Sequence, residues 1–167
     1  MNAPLPPCLT LRDLPAGAAE ALVARYGLHL SLLPDGAEIP GSYWGAPEAG
    51  LIGNTLKVRG DTPVHSLLHE FAHVICMDTE RRRHLHTDAG GTDPEECAVC
   101  YLQILLADEL TGLGRDRLMC DMDAWGYSFR LGSTRQWFLH DAADAREWLA
   151  THELIDHHER PQPRLRP

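Results

Sequence analysis

The stretch Thr62–Cys76, TPVHSLLHEFAHVIC, contains His69-Glu70-Phe71-Ala72-His73, an HExxH motif, and its reading decides the rest. Thr62 suits an N-cap, and Pro63 stands where a helix tolerates a missing N–H. Leu67, Leu68, Phe71, Ala72, Val74 and Ile75 then supply an apolar surface broad enough to bury. Residues four apart on a helix lie one above the other, so His69 and His73 present two imidazoles to one point. Neutral imidazole is a good zinc ligand, and two of them one turn apart form half of a tetrahedral site. Glu70 follows the first ligand directly, so its carboxylate can reach a metal-activated water without itself binding the metal. A surface helix with both histidines in water is the weaker reading, because that face adjoins apolar surface needing burial.

Before this stretch, PAGAAEALVARY reads as a helix stopped by Gly27, and Leu28–Leu33 alternates as a strand. Ser42–Gly45 and Leu51–Arg59 read as two further strands joined by GAPEAG, with Gly53-Asn54 a bulge or kink in the second. That second strand could offer an exposed edge to an extended substrate. After the motif, MDTERRRHLHTDAGG is a charged, then glycine-rich connection, and Asp93-Pro94-Glu95-Glu96 opens a strongly apolar helix reaching about Leu110. Residues 115–150 read as helical pieces broken at Trp125-Gly126-Tyr127. The expected organisation is a loose segment 1–13, a single domain 14–155 and a flexible tail 156–167. The fold class is α+β, a short mixed sheet packed on the HExxH helix and a second, glutamate-bearing helix.

Two histidines need a third protein ligand and an open position to make a zinc enzyme. The position six residues after His73 is Thr79, which excludes the metzincin extension. Glu95 and Glu96 are the next carboxylates in helical context, far enough on for a second helix to fold back. Glu96 is favoured because Glu96, Cys100, Gln103 and Ala107 form a narrow polar stripe, whereas Glu95 shares a face with Val99, Leu102 and Leu106. Asp93 with Glu96 also has the form of a capping box, which needs no metal. Glu95, His84, His86 and Asp88 stay open as alternatives. Cys97 and Cys100 have CxxC spacing without a second pair and read as buried structural thiols.

Five cysteines lack a disulfide-framework spacing, the N-terminus lacks a signal-peptide pattern, and no run reaches the length of a membrane span. A cytoplasmic location is expected, without a membrane. The formal charge of −9 argues against nucleic acid, whose phosphates need a basic face.

The order of N-terminal helix, short sheet, LLHEFAHVI and EECAVCYLQILL resembles the ImmA/IrrE group of zincin-like (gluzincin) metallopeptidases over roughly residues 14–110. The resemblance implies Zn2+ at His69, His73 and Glu96 with Glu70 catalytic. Where thermolysin-like gluzincins carry an aspartate four residues after the glutamate ligand, this chain has Cys100, so an acidic partner for a ligand histidine would come from elsewhere, such as Asp121 or Asp123. The expected activity is zinc-dependent hydrolysis of a peptide or protein substrate, with Glu70 as general base and Tyr127, His140 or His65 stabilising the oxyanion. The alternative is a non-catalytic protein-binding module whose metal is structural or absent.

Overall fold

The HExxH helix, α2 (Val64–Cys76), packs against a second long helix, α4 (Asp93–Ala107), and against a three-stranded sheet. The computed structural model describes residues 7–167; residues 1–6, part of the segment expected to be loose, lie outside the described residues. Along the chain, α1 (Ala18–Ala24) precedes β1 (His29–Leu33), β2 (Gly50–Ile52) and β3 (Thr55–Arg59). After α2 come a short α3 (Thr79–Arg83), α4, α5 (Arg115–Trp125), α6 (Thr134–His140) and α7 (Ala143–Thr151). The strand order is β1-β3-β2, with β1 parallel and β2 antiparallel to the central β3. The period-two pleat sends Leu56 and Val58 of β3 and Leu51 of β2 into the core, where none is more than 1% exposed.

The run Leu51–Arg59 is therefore two strands rather than one. Gly53, at φ +58°, makes the hairpin turn with Asn54, the primed-turn geometry that glycine permits at the first central position. The segment expected as a separate strand at 42–45 contributes only a bridge from Ser42 to Gly50. The edge expected to be exposed is covered: Leu51 N–H donates to Gly41 O, Thr87 N–H to Leu51 O and Gly53 N–H to Leu85 O. These bonds satisfy backbone groups that a sheet edge would otherwise present.

Helix α2 is apolar over most of its girth, and eleven of its residues are buried. Its N-cap is Pro63 rather than Thr62; Thr62 is fully buried and its Oγ1 accepts from Arg59 N–H, tying the end of β3 to the helix entrance. At α4 the cap is Thr92, whose side chain accepts from Glu95 N–H, so Glu96 is not committed to a capping box with Asp93. The C-terminal segment lies along α2, with Arg166 N–H donating to Ile75 O and the Arg82 guanidinium donating to the carbonyls of Val74, Met77 and Arg166.

A small α+β domain with a mixed sheet against helices is what these elements make. The zincin-like description of it needs correcting. Expectation put two ligands on the HExxH helix and one carboxylate on a distal helix. The metal-capable group instead draws His69 from α2 and both Glu96 and Cys100 from α4. Glu96 and Cys100 are one turn apart, so both project toward the neighbouring α2.

Candidate metal centre

His69 and His73 sit one turn apart on α2 with rings nearly perpendicular, and their Nε2 atoms are 3.1 Å apart. Across the interface, Glu96 brings Oε1 to 3.1 Å from His69 Nε2 and Oε2 to 3.2 Å from His73 Nε2. The donor atoms of His69, Glu96 and Cys100 all lie within 4.8 Å of one another. Donors at about 2.0–2.1 Å from a tetrahedral ion stand roughly 3.3 Å apart, close to the separations seen among the two imidazoles and the carboxylate.

Buried Gln103 decides which way His69 points its lone pair. Its Nε2–H donates to the His65 carbonyl at 2.8 Å, which turns Oε1 toward His69 Nδ1 at 3.0 Å. Nδ1 then carries the ring proton, and the lone pair on Nε2 faces the Glu96 carboxylate and His73. Acceptors converge there, and only positive charge among them relieves the repulsion. The protonation behaviour expresses the same demand. Burial opposes a charged His69, yet its contacts with Cys100 and Glu96 outweigh burial and hold its pKa well above the usual histidine value. Burial would likewise raise Glu96, but hydrogen bonds from the two histidines prevail and hold its carboxyl well below the usual range. A divalent ion meets this demand with ligands of the right chemistry, so the residues fit a metal.

Glu70 borders the cluster. Burial pushes its carboxyl up, opposed by His69 and His73 and reinforced by Glu96 and Glu48. Two clefts meet over the cluster, of about 340 Å³ and about 220 Å³, and both are walled by Trp44, His69, Glu70 and Glu96. The larger adds Glu48, Trp125 and Tyr127; the smaller adds His73 and residues 87–90.

None of the other candidate ligands joins this cluster, although Asp88 lines the smaller cleft beside it. Glu95 is buried against Arg81, which reaches both of its oxygens at 2.7 and 2.9 Å. His84 is exposed and donates to Glu80 O, exposed His86 bonds with Thr87 Oγ1, and Asp88 accepts from Gly90 N–H. Asp121 accepts from Leu9 N–H and pairs with Arg117, while Asp123 accepts from the Thr134 amide and hydroxyl, so neither serves a ligand histidine. His140 closes α6 and lines neither cleft. His65 is buried with its Nδ1 3.2 Å from the Tyr127 hydroxyl, which in turn lies 3.4 Å from Gln103 Nε2. Tyr127 alone of the three oxyanion candidates both lines the cleft and edges onto His69, with ring centroids 5.8 Å apart.

Sequence reasoning missed Gln103 as the group that orients His69, and Cys100 as a member of the cluster. The signal for both was the stripe Glu96, Cys100, Gln103 on one face of α4. Cys100 also overturns the resemblance to the ImmA/IrrE gluzincins, because the metal-capable group includes a thiol, where that family's set is built from histidine and glutamate. No protein-family model, curated protein or solved structure matches the chain.

Proposed function

We propose that this protein is a zinc-dependent peptidase in which His69, His73 and Glu96 hold the ion and Glu70 is the general base. One observation carries the reading: the two Nε2 atoms and the Glu96 carboxylate converge at 3.1–3.2 Å beneath an open cleft bordered by Glu70. When bound, zinc supplies Lewis acidity and a water that loses its proton near neutral pH. The chain's own residues do the rest. Gln103 fixes the His69 tautomer, and Glu70 takes a proton from the attacking water and returns it to the leaving amine. Tyr127 borders the cleft as the donor for charge developing on the carbonyl oxygen. Glu70→Gln should retain one zinc per chain and lose about 10²–10⁴-fold in peptide hydrolysis. Unchanged hydrolysis, or loss of the metal, contradicts the role given to Glu70.

Cys100 favours a second reading. With its sulfur beside His69 and Glu96, it can complete a closed four-ligand site and leave a non-catalytic binding module with a structural metal. Cobalt substitution separates the two. A thiolate-to-cobalt charge-transfer band that disappears in Cys100→Ser marks the closed site; a spectrum indifferent to that change, with hydrolysis retained, marks the peptidase.

A further inference from the structure

The two clefts over the cluster form one trough whose walls carry four carboxylates, Glu48, Glu70, Asp88 and Glu96, and neither cleft is lined by a lysine or arginine. Even with a divalent ion in place, that wall charge exceeds the ion's. Exposed aromatic faces flank the carboxylates. Trp44 is 79% exposed and borders both clefts, and Trp125 is 44% exposed at the mouth of the larger. Trp125 Nε1–H donates to Glu48 Oε1 at 2.9 Å, which holds the carboxylate beside the indole. A carboxylate anchored at the N–H edge of one exposed indole, in a cleft that a second exposed indole also borders, is a recognition set for a guanidinium or ammonium group, which takes an ion pair from the carboxylate and a cation–π contact from an indole face.

From this we propose that the trough selects cationic peptide segments: an extended chain crossing the cluster, with an arginine or lysine side chain lodged in the larger cleft between Trp44, Trp125 and Glu48. The inference rests on the peptidase reading for the position of the scissile bond, but the selectivity belongs to the trough and is measurable without cleavage. The two clefts share Trp44, His69, Glu70 and Glu96, so they adjoin across the cluster and together offer room on both sides of it for an extended chain. Arginine is favoured over lysine, because its planar group stacks on indole and pairs with a carboxylate at the same time.

The test uses the full chain carrying Glu70→Gln, loaded with zinc, so that peptides bind without being consumed. Labelled peptides identical except for one residue (arginine, norleucine or glutamate) are titrated by fluorescence anisotropy. The arginine peptide is expected to bind at least about tenfold more tightly than the norleucine peptide, with glutamate weakest and the difference shrinking at high salt. Adding Trp44→Ala and Glu48→Gln should bring arginine and norleucine within about twofold of each other. The exposure of Trp44 makes its replacement harmless to folding, which circular dichroism checks. Equal binding of arginine and norleucine peptides, no saturable binding of the arginine peptide, or a preference that survives both substitutions overturns the proposal. The same peptides given to the unsubstituted zinc protein separate it from the peptidase reading. Selective binding without cleavage contradicts the peptidase and supports the trough. Cleavage indifferent to charge does the reverse.

Discussion

At the scale of single residues, the decisive group is a neutral amide. Gln103 is fully buried and joins two elements, donating to the His65 carbonyl and accepting from His69 Nδ1. Gln103→Leu should lower metal affinity by about 10–100-fold, read by competition with a chromophoric chelator, because His69 loses its orienting partner. The same change should cost about 1–3 kcal/mol of stability, since two buried polar groups are left without partners. His65 makes a pH prediction. Burial, with His69 adding to it, lowers its pKa to about 4, so the folded state resists the proton that the unfolded chain accepts near the ordinary histidine value. Its stability contribution is intact above that ordinary value and is lost as pH falls through about 4, an effect of roughly 3 kcal/mol. Denaturant midpoints should fall across that window in the metal-free protein, and His65→Phe should flatten the fall.

At the scale of elements, the site depends on a helix pair and an overhanging loop. Residues 40–50 carry Tyr43, Trp44 and Glu48 over the cleft and close back on themselves at Gly50, where an added Cβ would run into the Pro40 carbonyl and lie 2.9 Å from Ser42 N. Gly50→Ala should cost about 1–3 kcal/mol and displace that loop. Substrate KM should rise while zinc content stays unchanged. The elements also show what was legible in the sequence and why. The HExxH helix stands out through its apolar surface, the second long helix because it is apolar over most of its girth, and their ends carry proline or a hydroxyl cap. The hairpin was misplaced because Gly53-Asn54 reads equally as a kink in one long strand or as a turn between two, and only the antiparallel pairing of Gly50–Ile52 with Thr55–Lys57 selects the turn. Glu96 stood out through the polar stripe on α4, whereas Cys100 did not, because a cysteine among apolar residues looks like a core residue until a facing histidine is known.

At the scale of the whole molecule, stability is tied to the ion. A ligand bound only by the folded chain at a hundred times its dissociation constant adds about 2.7 kcal/mol, which for a domain of this size raises Tm by roughly 5–10 °C. That rise should be absent in His73→Ala. Among the described residues no helix is long and apolar enough to cross a membrane, and the chain's charge of −9 matches a surface whose cleft is also acidic. The most direct test of the central claim is a crystal structure with anomalous scattering recorded across the zinc edge. One peak per chain is expected, enclosed by His69, His73 and Glu96, with the remaining position open to the cleft beside Glu70. No peak at the cluster, or a peak whose fourth position is closed by the Cys100 sulfur, would contradict it.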